Sequence, residues 1–247
     1  FWPAAAGVFP DIDSPIALAF IKRYPSPADA RGLGEQRLAR LLARHGYSGK
    51  RTPAELLARL RGAADGRAQA FEAEARRAIA LALVAALEPV VAKITELTSE
   101  IRGALHDHVD GETFRSLFKD PKSAITAATM LAEIGDCRNR YPTVAALAAD
   151  AGQAPVAVES GKSKRARFRW ACDHRLRNAI ATLANTSRHH NPWATDIYQR
   201  ARGCTHPHAI RILGRAWCGV MWRLWHDQTT YNPAQHTALQ QLIATRG

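Results

Sequence analysis

Apolar residues recur at helical spacing through the first quarter of the chain. Four leucines within residues 33–42 share one helical stripe, which ends at His45-Gly46. Ser14-Pro15 has the composition of a helix start, and Thr52-Pro-Ala-Glu55 has the spacing of a capping box. The pattern therefore predicts a region of short helices over residues 1–66.

The longest regular segment runs from about Ala68 to His108, within a predicted coiled-coil region over residues 67–110. Its apolar positions alternate by three and four residues, which is the a/d spacing of a coiled coil. These positions are Leu87, Val90, Ile94, Leu97, Ile101, Ala104 and His108. Pro89 predicts a kink or a new helix start. An interface between chains and a helix that packs on its own domain fit this stripe equally well.

Residues 111–247 are predicted to form a compact, mostly helical domain. Three of its helices cover about 173–187, 193–202 and 209–227, and the last places Trp217, Met221, Leu224 and Trp225 in the core. Residues 162–170 partly alternate charged and apolar side chains, which predicts a strand or an extended hairpin. The expected fold class is thus mainly α, with one short β-hairpin.

Residues 114–136 have the outline of a helix-hairpin-helix, a structure whose hairpin amides grip a phosphate. Pro121, Lys122 and Ser123 fill the turn where glycines would let the backbone approach the phosphate. Packing is therefore favoured over DNA contact at this turn.

Charge is distributed unevenly. The net charge is +12, and residues 151–247 carry 14 Lys and Arg against 4 Asp and Glu, whereas residues 1–150 carry 20 against 18. This asymmetry predicts a polyanion as the partner of the second half. No apolar run appears long enough for a membrane span and no leader is evident, so no membrane partner is expected. Because the chain begins with Phe1, it is expected to be a fragment or a processed piece.

The cysteines and the paired aspartates give little support for a metal site. No Cys-x-x-Cys pair is present, and reduced thiols in a cytoplasm fit best. Asp11 and Asp13 adjoin a helix start and are interpreted as turn and capping residues. Two cysteines and two histidines could be assembled into a site, but their spacing matches no established zinc pattern. They are Cys204, His206, His208 and Cys218.

Two serines, Ser160 and Ser163, lie in the densest positive charge of the chain. The cations around them and just after them are Lys162, Lys164, Arg165, Arg167, Arg169, Arg175 and Arg177. A hydroxyl among fixed cations suits attack on a phosphodiester, because cations stabilise charge on pentavalent phosphorus. The alternative is a basic loop that only clamps a nucleic-acid backbone, and spacing alone favours that alternative.

Several blocks in one order resemble a known family. They are residues 127–136 (AATMLAEIGD), the Tyr141-Pro-Thr spacer, residues 147–155 (LAADAGQAP), Glu159-Ser-Gly-Lys-Ser163, and the downstream His189-His-Asn-Pro-Trp193 and Tyr198-Gln-Arg-Ala-Arg202. Together they resemble the C-terminal transposase domain of the insertion sequence 110 family, the RNA-guided bridge recombinases. The resemblance covers nearly the whole chain.

The resemblance implies an enzyme with a serine nucleophile. Matching the Ser-Gly of the family places that nucleophile on Ser160, with Ser163 as the runner-up. It also implies a phosphoserine link to DNA, strand exchange programmed by a bridge RNA in a multimer, and Mg²⁺ held by four acidic residues of an N-terminal RuvC-like domain. No acidic set of that kind is recognisable here, so this chain is expected to correspond to the coiled-coil and transposase portions, to hold no metal itself and to cleave poorly alone.

Two other functions fit the same residues. A non-catalytic DNA- or RNA-binding module would use the basic stretch only as a clamp, and a scaffold would multimerise through residues 87–108. The group that activates the serine is also open. His189 and His190 are candidates, although a surface or core histidine is the more frequent role.

Overall fold

The computed structural model describes residues 2–62, 70–160 and 163–235, without the side chains of residues 163–165 and 202. The chain divides into two compact units, Phe1–Leu97 and Thr98–Gly247. It is mainly helical with one two-stranded sheet, which confirms the predicted fold class.

The first unit is built from short helices. The predicted caps form: the Ser14 side chain accepts from Ala17 N–H, and Thr52 and Glu55 each accept from the other's backbone N–H. The Thr52 N–H and hydroxyl also lower the pKa of the Glu55 carboxyl. Phe20, Leu38 and Leu56 are among its fully buried side chains. The helices are α1 (Pro3–Val8), α2 (Pro15–Arg23), α3 (Pro27–Ala30), α4 (Glu35–Arg44) and α5 (Pro53–Gly62).

Helix α6 (Ala70–Asp107) is one continuous element through Pro89, and the division between the units falls within it. The coiled-coil positions Leu87, Val90, Ile94, Leu97 and Ile101 are all exposed, with Ile94 59% exposed. Among the described residues, these five side chains are therefore not part of a core, whereas Ile101, Ala104 and His108 line a cavity together with Ile125 and Ala128.

Helix α6 is also long and apolar enough to cross a membrane, judged by length and composition alone, with a mean hydropathy of 1.9. The sequence-based statement that no segment reaches that length is therefore wrong. Glu88 and Lys93 interrupt the apolar run in the sequence, but they do not end the helix. One such helix is weak grounds for a membrane assignment, because helices of soluble proteins meet the same criterion.

The second unit packs its helices around α10 and α12. Helix α10 contacts α8 and α12, while α9 and α11 also pack on α12. Trp217, Met221 and Trp225 are buried as predicted, whereas Leu224 is only partly buried. The helices are α7 (Gly111–Arg115), α8 (Ala124–Ile134), α9 (Val144–Asp150), α10 (His174–Ser187), α11 (Pro192–Arg200) and α12 (His206–Asp227), and the strands are β1 (Val156–Ser160) and β2 (Ser163–Arg167).

Candidate nucleic-acid interface

The two serines meet at the end of a β-hairpin. Strands β1 and β2 pair antiparallel, and the register places Ser163 directly opposite Ser160. The side chain of Ser160 is exposed. Residues 161–162, which join the strands and include the predicted cation Lys162, lie outside the described residues. The structure thus presents Ser160 at an accessible turn, where an extended polyanion can reach it.

The hairpin separates Ser160 from the cations at its base. Alternation along β1 places Ser160, Val158 and Val156 on one face, and Arg167 lies opposite Val156. A strand rises about 3.3 Å per residue, so the four-residue step from Ser160 to Val156 places the Val156–Arg167 residue pair about 13 Å from Ser160. Arg167 therefore suits a neighbouring phosphate of the same strand rather than the one beside Ser160.

The other predicted cations have different surroundings. Lys164 and Arg165 belong to β2, but their side chains are not described. Arg169 Nε donates to the Ala154 carbonyl at 3.2 Å, and Arg175 Nε forms an ion pair of 2.8 Å with Glu133 Oε1. Arg177 contacts the Cys172 sulfur and the His174 ring. Among the predicted cations whose side chains are described, Arg169, Arg175 and Arg177 thus each have a partner within the protein.

Two of these arginines share a cavity with two arginines of α12. Arg167 and Arg169 line one side, and Arg211 and Arg215 line the other, around a volume of about 520 Å³. Among the described residues, no carboxylate lies within 4.0 Å of any of these four guanidinium groups. An uncompensated cluster of this kind favours an anionic ligand.

Small residues permit the close packing below this cavity. Gly152 has a left-handed backbone (φ +64°), and an added Cβ would lie 2.8 Å from the Cys172 sulfur. At Gly214 on α12, a Cβ would lie 2.5 Å from Gln153 Oε1. The turn after α9 can therefore lie against α12 and bring the hairpin beside it.

Sequence reasoning missed part of this site. The sequence places Arg211, Arg215 and Arg223 roughly on one face of the last long helix, where a solvated face is the default and contact with phosphates the alternative. It does not single out Phe168, Trp170 or His208 as ligand contacts. A signal was present, because Phe168 and Trp170 alternate with Arg167 and Arg169. Basic and aromatic residues interleaved in this way are typical of surfaces that bind unpaired nucleic acid.

The turn before α8 does not offer free amides to a phosphate. Residues Pro121–Ser123 form a 3₁₀ turn, in which Asp120 Oδ1 accepts from Lys122 N–H at 2.9 Å. The Ser123 and Ala124 N–H groups donate to the carbonyls of Asp120 and Pro121. Internal hydrogen bonds occupy these donors, which agrees with the preference for packing at this turn.

His189 and His190 follow the C-terminal end of α10, whereas Arg175 and Arg177 lie in its first turn. Fourteen helical residues span about 21 Å, so the structure does not bring the histidines to these arginines. Burial and, next, the Lys119 charge lower the pKa of His190, which keeps its ring neutral. A role of either histidine in activating Ser160 stays a prediction.

One group of residues has the composition of a metal site. One ligand atom each from His108, Asp110 and Asp136 lies within 4.8 Å of the others. However, His108 Nδ1 accepts from Asp110 N–H at 3.0 Å, and His108 Nε2 lies 3.1 Å from Asp136 Oδ1. Arg138 forms an ion pair with Asp110. Both ring nitrogens therefore have partners, and this arrangement favours a structural network.

Among the described residues, Cys204, His206, His208 and Cys218 do not form a group of three or more potential ligands within 4.8 Å of one another. The Asp11 carbonyl accepts from the Ser14 N–H and hydroxyl, as a turn residue does. His206 Nδ1 contacts the Tyr198 hydroxyl at 2.8 Å. Cys218 is fully buried, and burial raises the pKa of its thiol to about 12, so it stays protonated.

Comparison with known proteins shows the family to which a part of this chain is similar. Residues 122–199, which include the hairpin and α10, match the family model for the transposases of the IS116/IS110/IS902 family. This part of the chain is therefore similar to the transposase domain of that family. The recognition made from the sequence is confirmed at that level.

The relatives include three bacterial insertion-element proteins. The mini-circle protein of IS117 from Streptomyces coelicolor, which is named as a candidate transposase, is 29% identical over 237 residues, covering 90% of this chain and 55% of the relative. An uncharacterized 43.6 kDa protein of IS110 from the same organism is 28% identical, and the match covers 90% of this chain and 54% of the relative. An uncharacterized 42 kDa protein of IS900 from Mycobacterium paratuberculosis is 32% identical over 117 residues, and the match covers 46% of this chain and 29% of the relative. The chain thus spans about half the length of the first two relatives.

Proposed function

We propose that this chain is the strand-cleaving part of an RNA-guided DNA transposase, with Ser160 as its nucleophile. The observation that supports this most directly is the position of Ser160, exposed at the end of a hairpin within the matched domain. The cationic hairpin provides a surface that a DNA strand can follow from Ser160 to the open end of the hairpin.

The chemistry requires a balanced exchange at phosphorus. The Ser160 Oγ–P bond forms while one P–O bond of the phosphodiester breaks, giving a phosphoserine and a DNA hydroxyl. The serine proton passes to a base, and the leaving oxygen takes up a proton. A DNA hydroxyl on another strand can then attack the phosphoserine, which releases Ser160 and completes strand exchange. Nearby cations stabilise the additional negative charge during each step.

The described part of this chain does not offer a magnesium site at the hairpin. Its one group of three potential ligands is His108, Asp110 and Asp136, in which the His108 nitrogens and Asp110 Oδ1 have partners and the buried Asp110 Oδ2 has none among the described residues. Asp173, near the hairpin, accepts from two backbone N–H groups at the start of α10. The proposal therefore assigns Mg²⁺ to the acidic residues of an N-terminal RuvC-like domain outside these 247 residues, and no step here depends on it.

The test is a search for a covalent protein–DNA adduct. The transposase with its RuvC-like domain would be combined with guide RNA, Mg²⁺ and a target DNA designed to trap the cleaved strand. A denaturing gel and peptide mass spectrometry should show an adduct on Ser160 that Ser160→Ala abolishes. An adduct that persists in Ser160→Ala would exclude Ser160, and cleavage without any adduct would favour a metal-activated water.

A second property, self-association, is favoured by the exposed apolar stripe on α6. We propose that this stripe pairs with a second copy of the chain in a homo-oligomer. Ile94→Glu should lower the oligomer mass measured by light scattering, because it places a charge in the stripe. Ser99→Glu adds the same charge to an exposed position of the same helix outside the stripe, and its mass should be unchanged. An equal mass for wild type and Ile94→Glu would refute this role.

A further inference from the structure

The cavity at the base of the hairpin has walls from two different elements. The segment that includes Arg167 and Arg169 forms one wall, and α12 provides Arg211 and Arg215 on the other. Its volume of about 520 Å³ falls in the range of sites that take one small molecule. A paired duplex is too wide to enter such a space, but a single nucleotide turned out of its helix is small enough.

The aromatic residues beside these cations are arranged for contact with a base. The Arg211 guanidinium lies 4.9 Å from the ring centroid of Phe168, and the Arg177 guanidinium lies 5.5 Å from it. Trp170 meets Phe168 edge to face at 4.8 Å, yet it is 73% exposed. Phe168 thus holds two guanidinium groups in place, and Trp170 leaves its own ring open for stacking.

A second cavity continues on the other side of Phe168. Both cavities are lined by Gln153, Phe168 and Arg211, and the second has a volume of about 500 Å³. It is also lined by Asn178 and Asn185 of α10, whose side-chain amides can pair with base edges, although Asn185 Oδ1 already accepts from Arg188 Nε at 3.0 Å. The surface therefore has room for adjoining nucleotides of one strand.

The balance of groups favours a nucleotide over a free small anion. Four guanidinium groups suit phosphates, whereas Ala154, Pro155 and Ile212 provide apolar wall suited to a base or a sugar. A site for phosphate alone needs neither an apolar wall nor an exposed tryptophan beside it.

We propose that the cavity between the hairpin base and α12 binds an unpaired nucleotide, with its phosphate on Arg211 and Arg215 and a base stacked on Trp170. This inference rests on the proposed function, because it assigns the cavity to the strand that passes Ser160. Since the base of the hairpin lies about 13 Å from Ser160, the bound nucleotide is a few positions away from the attacked phosphate. The site would thereby select strands that are already open.

The test measures binding of the 247-residue chain by fluorescence anisotropy at one salt concentration. The probes are a fully paired DNA duplex, the same duplex with one bulged nucleotide, and the corresponding single strand as DNA and as RNA. Wild type should bind the bulged duplex about tenfold more tightly than the paired one, as expected from one added charge-assisted contact. Equal affinity for the two duplexes would overturn the proposal. Tighter binding of the DNA or of the RNA single strand shows which of the two nucleic acids supplies the bound nucleotide.

Matched variants separate the cavity from general charge. Arg211→Gln and Arg215→Gln should each remove most of the preference for the bulged duplex. Arg223→Gln makes the same change at an exposed position of the same helix, outside the cavity, and should keep the preference. If all three variants weaken every probe equally, the cavity is only part of a phosphate clamp and the proposal fails. Circular dichroism of each variant verifies folding.

Tryptophan fluorescence provides a second measurement of the same site. Binding of the single strand should quench emission in wild type, and the quenching should fall sharply in Trp170→Phe. Unchanged quenching in Trp170→Phe would refute the stacking contact. These outcomes are distinct from those of the adduct experiment. A missing adduct together with an intact preference for the bulged duplex refutes only the serine chemistry. An adduct on Ser160 without that preference refutes only the cavity.

Discussion

Ser160 and Ser163 are paired residues at the closed end of one hairpin, separated along the chain only by residues 161–162. Two hydroxyl-bearing residues at the same position along the strands are hard to distinguish as nucleophiles by proximity to a phosphate. The proposed function assigns the role to Ser160, and mutation can separate the two.

The first prediction concerns Ser163. Ser163→Ala should retain the covalent adduct on Ser160, with a yield reduced by no more than about threefold, because the hydroxyl of Ser163 forms no bond to phosphorus. Quantitative gel analysis of trapped adduct measures this. Loss of the adduct in Ser163→Ala together with its retention in Ser160→Ala would reverse the assignment.

The second prediction concerns the salt dependence of nucleic-acid binding. Replacing Arg167 by Gln should flatten the slope of log K against log salt by about one unit if that arginine contacts one phosphate. Anisotropy titrations with single-stranded DNA from low to moderate salt measure the slope.

Arg175 provides the comparison for this experiment. Its guanidinium is engaged by Glu133 at 2.8 Å, so Arg175→Gln should change the slope less than Arg167→Gln does. A larger change for Arg175 than for Arg167 would contradict the placement of the interface at the hairpin base.

The third prediction concerns the buried carboxylate of Asp110. Asp110 is 0% exposed, and its Oδ1 accepts from Arg138, which also donates to the Trp225 carbonyl at 3.1 Å. Arg138→Ala leaves a buried charge without its partner and should lower the free energy of unfolding by about 3 kcal/mol. Denaturant titration followed by near-UV circular dichroism of the tryptophans measures it.

A double variant controls for this charge effect. In Arg138→Ala with Asp110→Asn, the uncompensated charge is gone, so part of the lost stability should return. An equal loss in the single and double variants would show that packing of the Arg138 stem, rather than charge, is responsible.

The fourth prediction concerns thiol reactivity. Cys137 and Cys204 are exposed, whereas Cys218 is buried with a pKa of about 12. Because the thiolate is the reactive form, iodoacetamide at pH 8 should label Cys137 and Cys204 in the native chain and leave Cys218 unlabelled. Peptide mass spectrometry gives the labelled sites. Rapid labelling of Cys218 under native conditions would show that α12 is not packed as described.

Local patterns were sufficient for most of the secondary structure. The caps at Ser14 and Thr52, the long regular segment that forms α6, and the buried stripe of α12 each depend on residues close in sequence, whereas the new helix start predicted at Pro89 is wrong, because α6 continues through it. Their physical causes are side-chain hydrogen bonds to nearby amides and a helical apolar period, and both are readable from a short window.

The sequence by itself determined the helical class, the basic second half and the serine pair, because composition, period and motif order do not depend on distant contacts. Only the tertiary structure decided which cations share a site. It placed Arg211 and Arg215 beside Arg167 and Arg169, more than forty residues earlier, and it engaged Arg175 with Glu133. Such groupings depend on how α12 packs against the turn at Gly152 and Gln153, and no local pattern encodes the distance between two elements so far apart in the chain.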